Sequence, residues 1–541
     1  MKTSQGPNAF RSKSVMTMIA IQLLRIGGKN NGIHGFVSRT SLLAEQRFVT
    51  HTRSYASSPS PLSLSSASSS STTTTLLSMV SKTATDEQNP TSANGGGDTN
   101  TNDGLPRILL KRNRQTKSFR DGSQLVFSGS IAKAAESLKV GDLVQVEVPS
   151  EKNSNPNSKT PTMVVGWGLY NPASLYRVRL ILHGLLHPEM KEEFSALSES
   201  EILKRILTMN FERSLQTRRA IGLPMDSKTD TFRLVNGEGD SVSGLAVDVV
   251  GGNVAVIMSS AAWCEIHKAT IIESLQETLP DHELIWKTTP SRLKQDGYAP
   301  PGDATDDAYS ADNVDEPLVC LENGIKYQTF PRQRGQKTSV YCDQRNNRSD
   351  LAQLCAGKKV LDLCCYHGGF SLNAVNQGAK LAIGVDSSGD AVETCKGNAK
   401  LNKFDEDTVS FVKADISDYM RNCEERFDVV VLDPPKLAPS VKALQRASRK
   451  YHSLNRDAIK LIDDEGGLLM TCTCSAAMTQ KDGGKFFLEM VQQASLSAQR
   501  EVTLLRVSGA APCHTQSPFS FPAGNYLTAA LFMVHPIKAK D

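Results

Sequence analysis

Val360-Leu-Asp-Leu-Cys-Cys-Tyr-His-Gly-Gly-Phe370 decides the fold. An apolar run short enough to be a buried strand breaks at a tight turn holding Gly368 and Gly369, and a helical segment opens at Phe370. Glycines in such a turn let the backbone approach a ligand, and the helix start offers unpaired N–H groups. Around this stretch, apolar strand-length runs alternate with helix-length segments: Lys359–Leu363, Leu381–Asp386, Val409–Lys413, Phe427–Leu432 and Gly467–Thr471. The alternation predicts an α/β domain, a doubly wound Rossmann-like sheet, over residues 331–541. Asp386 ends the second strand, 24 residues after Asp362, where a carboxylate grips a ribose diol in this architecture; Asp415 follows the third strand and Asp433 the fourth. The turn lacks the G-x-G-x-x-G of a diphosphate cradle, so S-adenosylmethionine (SAM) is the adenosine cofactor that these acids predict, and a methyltransferase the enzyme class.

Asp433-Pro-Pro-Lys436 follows the fourth strand. Paired prolines stiffen the chain and hold the acid at the strand edge, while Lys436 brings a cation to the place where amine methyltransferases carry an aromatic. Thr471-Cys472-Thr473-Cys474-Ser475 closes the fifth strand at the same edge. The C5 carbon of a pyrimidine is too electron-poor to attack a methyl sulfonium, and a thiolate added at C6 turns it into a nucleophile. Cys474, at the strand end, is the expected nucleophile; Cys472 and the Cys364-Cys365 pair are expected to pack. No nearby histidine completes a metal site with the two cysteines, and no metal is expected. Upstream, Gly335 to Arg348 is dense in amides and cations, Gln344 and Arg345 among them.

Working outward, the chain is 541 residues and 58.7 kDa, enough for two or three domains. With 39% hydrophobic and 22% charged residues and a mean hydropathy of −0.30, it is neither wholly disordered nor a multi-span membrane protein. The longest apolar run, Met16 to Leu24, falls short of the roughly 20 residues a span needs, and no membrane partner is expected. Residues 1–85 carry nine Lys/Arg against Glu45 alone, so they hold +8 of a net +4 and leave the body at −4. A basic, acid-poor leader of this kind reads as an organellar transit peptide, for a mitochondrion or a chloroplast. Residues 86–104 read as a linker. Short alternating runs over 105–184 predict a small β-barrel, and 185–330 a small α+β domain with an acidic insertion at 299–316. Eleven scattered cysteines argue for reduced thiols rather than a disulfide framework.

These residues resemble a known family, the bacterial RlmI-type 23S ribosomal RNA cytosine-C5 methyltransferases. Val126-Phe-Ser-Gly129 and Gly168 to Ser174 are similar to its PUA domain, and Phe232 to Leu245 to the entry of its central domain. Gly335 to Arg348, Tyr366 to Phe370, Asp433 to Lys436, Cys474-Ser475 and Phe521 to Leu527 match its catalytic domain in order. The resemblance implies a PUA domain, a central α+β domain and a class I SAM-dependent methyltransferase domain. It implies that Gln344, Arg345, Tyr366, Asp386, Asp415 and Asp433 line the SAM pocket and that Cys474 is the nucleophile; the turn itself adds Gly368, Gly369 and Phe370 to the expected cofactor residues, and the strand edge adds Asp433 and Lys436 to the expected catalytic ones. His367 stands where the family has Thr, Leu437 where it has Phe, and no His-Pro-Trp precedes Val126. Basic clusters around Lys111, Arg112 and Arg114, around Arg332 and Arg334, and at Lys442, Arg446, Arg449 and Lys450 suit RNA phosphates. The expected partner is ribosomal RNA, and a homodimer is left open. So are two other readings: methylation of a guanine nitrogen, and a non-catalytic RNA-binding assembly factor.

Overall fold

The structure is a computed structural model that describes residues 104–111, 119, 122–149, 162–225, 227–299, 317–332 and 340–537. All of them belong to one compact unit, Gly97–Asp541. The leader, the linker to residue 103, nearly all of the acidic insertion, Arg112, Arg114 and Arg334 lie outside the described residues.

The first domain is a six-stranded sheet of β1 (Arg107–Leu110), β2 (Leu125–Phe127), β3 (Ile131–Lys133), β4 (Leu143–Pro149), β5 (Thr162–Tyr170) and β6 (Tyr176–His183), in the order β2-β6-β5-β4-β1-β3. Its edge strands β2 and β3 are joined by Ser128–Ser130 alone, so the sheet must curl until its two edges meet. Val144, Val146 and Val148 face the inner core with Ile108, Val165 and Val178. The opposite face carries Leu143, Trp167, Leu169 and Ile181 against the next domain, where Trp167 meets Phe194 edge-on at 5.0 Å. Burial on both faces explains why β4 alternates only weakly in sequence.

The second domain pairs the helix Glu199–Ala220 with β7 (Phe232–Asn236), β8 (Leu245–Val250), β9 (Val254–Ser259) and β10 (Glu283–Thr288). Ser198 and Glu201 form a capping box that satisfies N–H groups at the start of this helix. A hairpin, β11 (Leu318–Glu322) with β12 (Ile325–Thr329), follows. Sequence reading puts it in the central domain; it docks on the last domain as well, where the Gln328 N–H donates to Asn398 and the Lys326 N–H to Asn402.

The last domain is a seven-stranded sheet of β13 (Lys359–Leu363), β14 (Leu381–Asp386), β15 (Val409–Lys413), β16 (Val429–Leu432), β17 (Gly467–Thr473), β18 (Val502–Ser508) and β19 (Thr528–Val534), in the order β15-β14-β13-β16-β17-β19-β18. The first five strands are parallel; β19 runs antiparallel to both neighbours. Val429 and Val431 face one core, Val430 and Leu432 the other. The helices Gly369–Asn376 and Gly389–Leu401 cover one face; Leu444–Lys460 and Lys485–Ser497 cover the other. Strand order reverses between β13 and β16, which opens a crevice at their C-terminal ends.

Candidate active site

The crevice begins where β13 ends. Cys364 and Tyr366 both adopt left-handed backbone, with φ of 64° and 50°, a conformation that costs a non-glycine residue free energy. Hydrogen bonds hold them there: the Cys364 N–H donates to the Val385 carbonyl, and the Tyr366 N–H to Asp386 Oδ2 at 3.0 Å. Asp386 Oδ1 accepts the Ser388 N–H, so the carboxylate at the end of β14 is fixed beside the turn. Gly368 then takes φ 82°, and a side-chain carbon on Gly369 would come within 2.6 Å of Arg348 Cδ. Beneath the turn, Asp362 is buried, accepts from Ser371 N–H and Oγ, and is pushed up to about 6 by burial.

The second wall comes from β16 and β17. Asp433 accepts from Gln344 Nε2 at 3.0 Å, and burial, with Asp343 nearby, pushes its carboxyl up to about 7. Asp343 in turn accepts the Tyr526 hydroxyl at 2.7 Å. Tyr341 meets the Tyr366 ring edge-on at 5.0 Å, and its hydroxyl feels Asp343, Cys474 and Asp433 after the larger effect of burial, all raising it. Cys474 is partly exposed on this wall, whereas Cys472 is fully buried, with its thiol driven well above the ordinary range by burial. Ser475 Oγ accepts the Ala438 N–H, which ties the end of β17 to the segment after the prolines. Lys436 is exposed at the rim.

These walls enclose one cavity of about 1320 Å³. It exceeds the roughly 300–1,000 Å³ of a site for one small molecule, leaving room for a cofactor and a second reactant. Of the residues expected to bind SAM, Gln344, Tyr366, Gly369, Phe370, Asp386 and Asp433 line it, and so do Cys474 and Lys436. Three do not. Asp415 is exposed and caps the helix Ile416–Asn422 by accepting the Ser417 and Asp418 N–H groups, because an acid after a strand serves a helix start equally well. Arg345 is buried at the start of the helix Arg345–Ala352, and Arg348, one turn on, faces the cavity instead. Gly368 stands behind the wall, against Phe411 and Cys395. Lys111 and Arg446 are exposed away from the cavity, and Arg332 pairs with Glu283.

Several wall residues were missed. Arg348 is locked by buried Glu322 of β11 through two bonds of 2.7 Å, and also donates to the Tyr341 carbonyl. Asp343 and Tyr526 meet across 183 positions, a pairing that no local pattern announces. The far side of the cavity is built by the first two domains, with Tyr176, Arg179, Glu238, Arg292 and Asp296. His367 lies between the Tyr327 and Tyr366 rings, 5.0 Å from each; both ring nitrogens are buried without a partner, and burial, with Arg348 nearby, pulls its pKa down to about 3. Among the described residues no group of three His, Cys, Asp or Glu could hold a metal ion, and no helix is long and apolar enough to cross a membrane. None of the eleven cysteines forms a disulfide.

The donor set fits SAM: a glycine cradle that a side chain would fill, the fixed Asp386 carboxylate, and the Tyr366 and Phe370 rings beside it. Residues 286–501 match the family model described as S-adenosylmethionine-dependent methyltransferase. Among solved structures, a methyltransferase complexed with SAH aligns with a TM-score of 0.60 at 21% identity, over 80% of this chain and 100% of that one. A SAM-dependent methyltransferase from Streptococcus mutans gives 0.59 and 20%, with the same coverage. Ribosomal RNA large subunit methyltransferase I of Escherichia coli strain K12 is 28% identical over 426 residues, 78% of this chain and 97% of the relative. The protein of the same name from Tolumonas auensis is 35% identical over 331 residues, 60% of this chain and 80% of its own length. Identity of that extent, on a chain whose strand ends build a SAM crevice, makes this protein a SAM-dependent methyltransferase of the ribosomal RNA large subunit methyltransferase I family.

Proposed function

We propose that the protein methylates C5 of a cytosine in large-subunit ribosomal RNA through a transient bond between Cys474 and C6. The observation that carries this reading is that the partly exposed Cys474 lines the same cavity as Asp433 and Asp386. Bound SAM supplies an electrophilic methyl group, and Tyr366, Phe370, Gly369 and Asp386 would hold it. The Cys474 thiolate adds to C6, forming S–C6, while a proton passes to N3. Asp433 suits that transfer, since a carboxyl group near 7 is protonated part of the time at neutral pH. C5 would then take the methyl group, leaving S-adenosylhomocysteine as the methyl–sulfur bond breaks; the C5 proton passes to a carboxylate of the wall, Asp343 or Asp433, its electron pair re-forms C5=C6 as S–C6 breaks to restore the thiolate, and the N3 proton returns to solvent. Lys436 at the rim suits a phosphate of the same nucleotide. A base inside a duplex cannot reach such a cavity, so the target lies in a loop or is flipped. The PUA reading of residues 105–184 and an organellar ribosome as the destination of the leader belong to the same proposal; a fluorescent fusion of residues 1–85 to a reporter tests the latter.

The decisive experiment is methyl transfer from labelled SAM to large-subunit RNA, with bisulfite sequencing of the product. Cys474→Ala should lower the rate by roughly three orders of magnitude or more while SAM binding holds, and Cys472→Ala should keep most of it. Full transfer by Cys474→Ala, or a product unmarked by bisulfite, would sink the C5 reading and favour a guanine nitrogen.

A further inference from the structure

Phe127 and Phe519 are the two exposed phenylalanines among the described residues, at 42% and 81%, and each adjoins residues that line the cavity. Phe127 ends β2 and meets Tyr176 edge-on, ring centres 5.3 Å apart; Tyr176 lines the cavity. Phe519 sits between Ser517 and Phe521, which also line it, and the neighbouring Ser520 Oγ accepts the N–H of Gln124, three residues before Phe127. Leu175, 66% exposed, continues the apolar rim. Exposed rings cost hydration free energy, and gathering them where three domains meet a catalytic cavity calls for an occupant with flat faces.

Charge narrows the choice. Arg179 lies 5.1 Å from the Tyr176 ring centre and is held by Asp296 and Ser243, so it braces the ring. Arg292 is exposed on the same rim and, among the described residues, its guanidinium donates only to the neutral Gln295 side chain. Glu238, whose carboxylate acts on the Tyr176 hydroxyl, accepts the Ser243 hydroxyl on one oxygen. Aromatic faces beside an available guanidinium are how proteins hold single-stranded nucleic acid. We infer that Phe127, Tyr176 and Phe519 form a stacking shelf for the unpaired RNA nucleotides that flank the target base, with Arg292 on their backbone. The inference rests on the RNA-substrate part of the proposed function, not on the cysteine chemistry. It also gives the first domain a role at the reaction centre.

The test uses the full chain and a fluorescein-labelled single-stranded RNA of about twenty nucleotides from large-subunit ribosomal RNA, read by anisotropy, with calorimetry for SAM. Phe127→Ala and Phe519→Ala should each weaken RNA binding by about 5- to 150-fold, with the salt slope and SAM affinity unchanged. Phe127→Leu, which keeps the apolar surface, should lose as much as alanine if stacking is the cause. Arg292→Gln should lower the salt slope by about one. RNA affinity and KM unchanged in both Phe→Ala variants would overturn the shelf, as would losses that appear only as a changed oligomeric state in ultracentrifugation, which would make the patch a protein contact. Methylation at an atom other than C5 would overturn the proposed reaction and leave the shelf result standing.

Discussion

At the scale of single residues, the cavity holds ionisable groups in the states that water disfavours. Asp433 is raised from 3.8 to about 7, so the folded chain keeps a proton that the unfolded chain gives up. Its contribution to stability is complete below the unfolded value and is lost as pH rises through about 7. His367 runs the other way: lowered from 6.5 to about 3, it makes the fold lose stability as pH falls from 6.5 toward 3. Thermal melts across pH 4 to 8 separate the two. Asp433→Asn should gain Tm relative to wild type at pH 8 and not at pH 4, whereas His367→Thr should gain at pH 5 relative to pH 8. Melting curves that stay parallel to wild type at every pH would show that neither group is held as described. Residue identity also marks the limit of reading from sequence. Gln344 and Asp386 were legible because strand ends and amide-rich segments announce themselves, but choosing between Arg345 and Arg348 requires knowing which turn of a helix faces inward.

Among the elements, the parallel strands of the last domain were the legible ones. Four of the five central strands begin at the residue expected, because a parallel strand covered on both faces must be apolar throughout. Strands β18 and β19 went unread: β18 is an edge strand with five exposed residues in a row, and β19 enters antiparallel after a long loop that carries no period. Asp415 failed for a related reason, since a helix cap and a ribose ligand leave the same mark, an acid just after a strand. The glycine turn lies where the sequence puts it, with Gly369 on the cavity wall and Gly368 behind it, and it can be tested as an element. Alanine at Gly368 must adopt φ 82° and bring its methyl to 3.1 Å from Phe411, costing about 1–2 kcal/mol for the left-handed backbone alone. Gly368→Ala should lower Tm by about 2–8 °C and weaken SAM binding roughly tenfold, measured by calorimetry, as the turn and Tyr366 shift together. Unchanged SAM affinity would mean that the turn is scaffold only.

On the scale of the whole molecule, the site exists because a loop of the last domain is fastened to the first two. Residues 509–527 carry Phe519, Phe521 and Tyr526, the last holding Asp343. Their anchor is a buried ion pair in the second domain. Arg218 donates to both oxygens of Asp240, at 2.5 and 2.8 Å, to the Arg233 carbonyl, and across to the Cys513 carbonyl at 2.7 Å. Thr515 Oγ1 donates to the same Asp240, and its carbonyl lies so near Gly239 that a side chain there would reach within 2.3 Å of it. Sequence could not have shown this, because Arg218 is the end of an amphipathic helix and Cys513 lies 295 positions away. Removing the cation leaves Asp240 buried with a charge to solvate, which costs about 3–5 kcal/mol, whereas removing both charges costs much less. Arg218→Met should therefore destabilise strongly in denaturant titration, and Arg218→Met with Asp240→Asn should recover part of the loss. In the double variant the loop is held by fewer bonds while the glycine turn and Asp386 are untouched. Its SAM affinity should match wild type as kcat for RNA methylation falls, because Tyr526 and the aromatic rim lose their position and the cofactor residues do not. A double variant with wild-type kcat would show that the loop keeps its place without this anchor.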